Sequence, residues 1–265
     1  MRIVKASVWI LCVFALQLLF VGCKNEAIQN CGTLFLTFDD FAVTDWYGLA
    51  DSLADIDYVA TYHVTRYHLM DATEKDRLFE LQQRGHEIGH HSYDHTSMEA
   101  YKDRDFGDYI DEQITPLLDE MKKDGLRVSS FAYPYGIYLP QSDSLLLQHF
   151  TSVRKVAYTY TFPLYAHNVS IFPLIEPIDA VLWGAGIDNH YKVTEADLIK
   201  AIDLCSEENK GLLLLAHHLG EDNQQEWQTN LPMLIRILRY AHKKDLQFKT
   251  VSNLKVVNKF ESNSQ

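Results

Sequence analysis

Only four cysteines are spread over the 265 residues, and no Cys-x-x-Cys pair occurs. A zinc cluster built from thiolates is therefore excluded. Positive charge is also scarce. Against 36 Asp and Glu there are 24 Lys and Arg, a net charge of −12. Without a basic stripe to displace counterions, the chain has no means of holding a nucleic acid. Internal repeats, linkers and low-complexity blocks are missing too, so a single domain is expected after the N-terminal segment. Hydrophobic residues make up 47% of the chain, an ordinary globular balance.

The one long apolar stretch is at the start. Arg2 and Lys5 precede a run from Ala6 to Gly22 in which Gln17 alone is strongly polar. The run is short for a spanning helix and has the layout of a signal peptide. It ends at Phe20-Val21-Gly22-Cys23, which resembles a bacterial lipobox. The expected division is a lipoprotein-type signal peptide over 1–22, a tether over 23–32, one folded domain over 33–258 and a polar tail over 259–265. Cys23 would carry lipid and hold the mature chain on a membrane in an extracytoplasmic space. Ordinary cleavage, giving a secreted or periplasmic protein, and an uncleaved anchor are the competing readings. Cys12 falls in the leader, which leaves Cys31 and Cys205 free to pair or not.

Polar chemistry concentrates in Gly85-His86-Glu87-Ile88-Gly89-His90-His91-Ser92-Tyr93-Asp94-His95. Four histidines and two carboxylates in eleven residues are too polar for a core element. His91 and His95 stand four apart, a spacing that on a helical turn brings both rings to one ion. A solvated turn is the competing reading. A second polar cluster, Asp39-Asp40, ends the apolar run Thr33–Phe38. Paired acids at the end of a buried strand are costly unless a cation or donors meet them.

Strand-like runs at Thr33–Phe38, Tyr58–Val64, His86–Gly89, Val128–Ala132, Lys155–Tyr160, Gly211–Ala216 and Phe248–Val251 alternate with helical patterns. The helices are expected over Glu74–Arg84, Asp103–Lys123 (with Pro116 as a kink), Ser142–Phe150, Thr194–Ser206 and Trp227–Lys243. Between Thr161 and Tyr191 no period dominates, although Ile171–Leu174 and Ala180–Trp183 are apolar. Such alternation predicts an α/β architecture around a largely parallel sheet. Asp39-Asp40, His91–His95, Tyr133–Gly136 and His217 each follow a predicted strand. In parallel α/β barrels those ends form the active site, so four motifs would converge there.

Thr37-Phe38-Asp39-Asp40, His91-Ser92-Tyr93-Asp94-His95, Phe131-Ala132-Tyr133-Pro134-Tyr135-Gly136 and Leu214-Leu215-Ala216-His217 together resemble, in order, the motifs of NodB-type polysaccharide deacetylases (carbohydrate esterase family 4). The resemblance implies a distorted (β/α) barrel of about seven strands and a hydrolase that removes N- or O-linked acetyl groups from a carbohydrate. It implies one divalent metal on Asp40, His91 and His95, zinc first, with cobalt, nickel or manganese also suited to carboxylate and imidazole. It assigns Asp39 as general base, His217 as general acid and the N–H of Tyr135 as an oxyanion donor. Pro134 and Trp183 are the expected substrate contacts. Three features depart from the family's pattern. Phe41-Ala42 replaces Gly-Pro after the acid pair. Ala132 stands where many members have the Arg that orients the base. The fourth motif is reduced to Trp183 with Asp179 or Asp188. A carbohydrate-binding surface lipoprotein with weak or no catalysis is the main competing reading, and a hydrolase of another ester or amide is the third.

The leader reading is tested by mass spectrometry of the native N-terminus. A diacylated or triacylated Cys23 is expected; an intact Met1 or a free Cys23 contradicts it.

Overall fold

The computed structural model describes residues 31–158, 163–222 and 225–257. The expected signal peptide 1–22, the lipidation site Cys23, most of the tether and the tail 259–265 lie outside the described residues.

Seven parallel strands close into a barrel. They are β1 (Thr33–Asp40), β2 (Thr61–Val64), β3 (Glu87–His90), β4 (Val128–Ala132), β5 (Ser152–Ala157), β6 (Val181–Gly186) and β7 (Lys210–Ala216). Each pairs with the next, and β7 returns to β1 over Thr33–Phe38, which closes the ring. The seven-strand (β/α) barrel expected from the motifs is the observed architecture. Short strands at Gln247–Phe248 and Ile171–Pro173 extend the sheet at β1 and, antiparallel, at β7.

Helices α1 (Val43–Ser52), α2 (Ala72–Gln83), α3 (Thr115–Lys123), α4 (Ser142–Leu146), α5 (Glu195–Glu208) and α6 (Leu231–Lys243) cover the outside. Their starts are written in capping residues. Asp71 and Thr194 each form a capping box with the residue three further on, and the Asn230 side chain accepts from Met233 N–H. The helical run ahead of α3 is not a kinked α-helix. It passes through a π-turn at Ile110–Ile114 just before Pro116, a position near the start of α3 where its missing N–H costs little.

Strand alternation sorts the core into two sides. Leu34, Leu36 and Phe38 point outward into the large cluster under α1, α5 and α6. Phe131 and Val153 point outward into a second cluster with Ile110, Ile114 and Phe150. Inside the barrel, Phe35, Leu182 and Leu213 form an apolar floor closed by Val251. The interior between β2 and β5 is instead polar, holding His63, Glu87, Ser130 and Arg154, all buried.

Several sequence boundaries shift. The second strand starts at Thr61 rather than Tyr58. The fifth covers Ser152–Ala157 rather than Lys155–Tyr160. The last helix begins at Leu231, after a short strand at Gln228–Asn230. Helix α1 has no counterpart in the sequence reading. Cys31 and Cys205 are both free thiols.

Candidate active site

Four strand ends at one rim of the barrel bring the polar motifs together. Asp39 and Asp40 end β1, His91 and His95 follow β3, Tyr135 follows β4 and His217 follows β7. All of these but the buried His91 line a cleft of about 290 Å³, together with Trp227.

The motif His91–His95 is not a helical turn, as its spacing suggested. It is an open loop with Ser92 at φ +64° and His95 at φ +67°. Asp40, Tyr135 and Trp227 also have positive φ. Left-handed backbone at non-glycine residues is costly and persists only where the surroundings enforce it. Five of the ten such residues among the described ones lie at or beside this cleft. His90 enforces part of it. Its Nε2 donates to the Ile114 carbonyl at 3.1 Å, so its bare Nδ1 accepts from Ser92 N–H at 3.1 Å and sets the turn.

One carboxylate oxygen of Asp40 and one nitrogen from each of His91 and His95 lie within 4.8 Å of one another. The His95 Nε2 is 3.2 Å and the His91 Nε2 3.8 Å from Asp40 Oδ1. The His91 Nδ1 donates to the Ala132 carbonyl at 2.8 Å, which leaves Nε2 as the free electron pair. Burial lowers both imidazoles below their ordinary pKa, so both are neutral at neutral pH. Asp40 Oδ1 is buried and accepts no hydrogen bond among the described residues. An orphaned carboxylate oxygen facing two neutral imidazole nitrogens fits a divalent cation.

Asp39 is buried, with 3% of its surface exposed, and pairs with Arg154, whose Nη2 donates to both carboxylate oxygens. Burial alone would raise its pKa. Arg154, His91, His63 and His217 outweigh burial and hold Asp39 well below the usual carboxylate range. The guanidinium missing at Ala132 thus comes from the neighbouring strand. Ala132 pairs with Arg154 in the β4–β5 register, and both face the barrel interior. Gly184 makes room for it, since a Cβ there would approach Arg154 Cδ to 3.0 Å.

The His217 Nδ1 is 2.7 Å from Asp188 Oδ2, and its Nε2 is 4.0 Å from Asp39 Oδ2. Asp188 is wholly buried and also accepts from His217 N–H and from the Thr229 hydroxyl. Burial opposes the charge on His217, but Asp188, Asp39 and Asp40 raise its pKa to about 9. His218 turns away toward Asp45, 3.8 Å distant. Helix α1 braces this strand end, because Trp46 Nε1 donates to the His217 carbonyl and Asp45 accepts from Leu219 N–H.

Two expected substrate contacts lie elsewhere. Trp183 is on the outer face of β6, beside Tyr138 and the Lys155 ammonium, because its neighbour Gly184 is the residue that faces the interior. The tryptophan at the cleft is Trp227, its ring centroid 5.6 Å from that of His217. Pro134 is buried beneath the turn that presents Tyr135. The Tyr135 ring lies 4.4 Å from that of His95. Of the two acids offered for the fourth motif, Asp188 is at the site, while Asp179 accepts from Val181 N–H. Arg154 has no counterpart in the sequence analysis, because the fifth strand is expected there to begin only at Lys155 and the register that sets Arg154 beside Ala132 is a tertiary fact.

The pair is tested by Arg154→Met. With Asp39 left buried and unpaired, unfolding of the metal-free protein should cost roughly 3–5 kcal/mol less. Adding Asp39→Asn should recover much of that loss. An unchanged urea midpoint in Arg154→Met contradicts the pairing.

The polysaccharide deacetylase family model matches residues 27–150. No curated protein matches the chain by sequence. Among solved structures, the chitin deacetylase of the fungus Colletotrichum lindemuthianum superposes with a TM-score of 0.57 at 16% identity, over 86% of this chain and 89% of that one. PdaA of Bacillus subtilis, a family 4 carbohydrate esterase, gives 0.53 at 15% identity, over 88% and 84%. A Streptococcus mutans family 4 carbohydrate esterase gives 0.54 at 18% identity, over 83% and 86%. At these identities the superpositions speak for the fold. The likeness to the polysaccharide deacetylase family model thus spans residues 27–150, and the barrel has the fold of these solved deacetylases and family 4 carbohydrate esterases.

Proposed function

We propose that the chain is a metal-dependent hydrolase that removes acetyl groups from a carbohydrate. The observation that carries this reading is the Asp40–His91–His95 cluster set beside a buried Asp39 and a raised His217 in one cleft. Asp40, His91 and His95 would hold one divalent ion, zinc first by donor chemistry. Such an ion supplies a Lewis acid for the acyl oxygen and lowers the pKa of water.

The chain's own groups divide the remaining work. Asp39 accepts a proton from water through Oδ2, the oxygen turned toward His91 and His217. Arg154 keeps it ionised and oriented. His217, protonated at neutral pH, gives its Nε2 proton to the departing amine or alkoxide, and Asp188 holds Nδ1 in place. The N–H of Tyr135, in its left-handed turn, is the protein donor for the oxyanion. Tyr135 and Tyr158 stand exposed at the mouth of the cleft, where aromatic faces suit sugar rings. Attachment through a lipidated Cys23, outside the cytoplasm, belongs to the same proposal and is supported by the leader.

The wild type should release acetate from N- or O-acetylated glycans and lose that activity to a chelator. His91→Ala should lose most of the metal. Asp39→Asn and His217→Ala should keep it yet lose at least about a hundredfold in rate, whereas His218→Ala loses far less. Because His217 must be protonated to donate, the rate should fall as pH rises through its pKa, about 9 without metal. A bound cation moves that limb lower. Equal metal content in wild type and His91→Ala contradicts the proposal, as does an active His217→Ala beside an inactive His218→Ala.

A further inference from the structure

Behind Asp39, in the polar half of the barrel, lies a hydrogen-bonded chain that the reaction above does not use. His63 on β2 has no exposed surface. Its Nδ1 is 3.6 Å from Asp39 Oδ1, and no other group among the described residues meets that nitrogen. Its Nε2 is 3.2 Å from Ser130 Oγ, which lies 2.7 Å from Glu87 Oε1. Glu87 is also buried. It accepts from Ser129 Oγ on the same oxygen, and from Thr61 Oγ1 and Ser252 N–H on the other. Gly89 permits the arrangement, since a Cβ there would come within 2.5 Å of His63 Cδ2 and 2.8 Å of Ser130 Oγ.

We propose that His63 is a positioning residue for Asp39, and that the Glu87–Ser130–His63 chain holds one proton which it presents to Asp39 as Nδ1–H. The proposal rests on the reading of Asp39 as the proton acceptor of the reaction. It follows from an inventory of donors and acceptors. A neutral ring beside an ionised Glu87 gives one proton too few. Ser130 would donate to Glu87, His63 Nε2–H would donate to Ser130, and Nδ1 would face a carboxylate with a bare electron pair. One added proton gives each hydrogen bond of the chain a donor and turns a proton toward Asp39 across the 3.6 Å gap, an electrostatic approach rather than a hydrogen bond, in either of two arrangements. In the first, Glu87 is ionised and His63 carries protons on both nitrogens. In the second, Glu87 is protonated and donates to Ser130, Ser130 donates to Nε2, and Nδ1–H points at Asp39. Burial and Arg154 disfavour a charged His63, while Asp39 and Glu87 favour it. Either way Oδ1 of Asp39 is engaged from within the barrel. Oδ2 is then the oxygen left for the cleft, where His91 and His217 each stand 4.0 Å away.

The test is made on the zinc-loaded protein. The ¹⁵N spectrum of the His63 ring in the wild type should show a protonated Nδ1; a bare Nδ1 overturns the proposal. That reading needs neither a variant nor a substrate, so it stands even if no glycan is deacetylated. With an active substrate, His63→Phe should keep zinc and KM while kcat falls at least about tenfold, the scale of a misplaced reacting group. Ser130→Ala should do the same, and the double variant should add nothing further. Glu87→Gln, whose amide donates to Ser130 as the protonated acid does, should keep a kcat near that of the wild type. A His63→Phe enzyme with unchanged kcat overturns the positioning role.

Discussion

A carboxylate sunk at the end of a barrel strand must be paired, and the Arg154 guanidinium pairs Asp39. Much of the site depends on that contact. It permits an ionised Asp39 in a buried position, which in turn lets three imidazoles crowd around it. It also dictates small residues nearby, Gly184 under the Arg154 stem and Ala132 at the adjoining position of β4. The guanidinium reaches Asp39 from β5, beside Ala132 on β4. A barrel allows this because neighbouring parallel strands in register aim side chains at the same interior volume.

The same register explains why one half of the interior is polar. Inward positions on β1, β6 and β7 carry Phe35, Leu182 and Leu213, whereas those on β2 to β5 carry His63, Glu87, Ser130 and Arg154. Buried polar groups are tolerated only when their partners are supplied. Thr61, Ser129, Ser130 and the Ser252 N–H supply them for Glu87. The polar half backs onto Asp39, and the apolar half carries Leu215 up to the wall of the cleft.

Much of this was legible in the sequence. Strands buried on both faces read as apolar runs, and four of them end in polar motifs, so the parallel α/β sheet and the convergence of those ends follow from pattern, while the closed barrel of seven strands comes from the resemblance. Asp188 could be named only as one of two acids, because contact across 29 residues is a tertiary fact. Arg154 and Trp227 were missed for the same reason. Trp183 was misplaced because the irregular stretch before β6 concealed which of its residues faces inward. The His91–His95 loop is not a helical turn, and a spacing of four does not reveal its left-handed residues, Ser92 and His95. Helix α1 was missed because Phe41-Ala42, in place of Gly-Pro, announces no helix start.

The central claim is that Asp40, His91 and His95 share one divalent ion while Asp39 stays off it. Anomalous X-ray scattering at the zinc edge from crystals of the zinc-loaded protein tests it most directly. The account predicts one strong peak within bonding distance of Asp40 Oδ1, His91 Nε2 and His95 Nε2, with Asp39 still paired to Arg154. A peak coordinated by Asp39, or no peak at this cluster in zinc-loaded crystals, would contradict it.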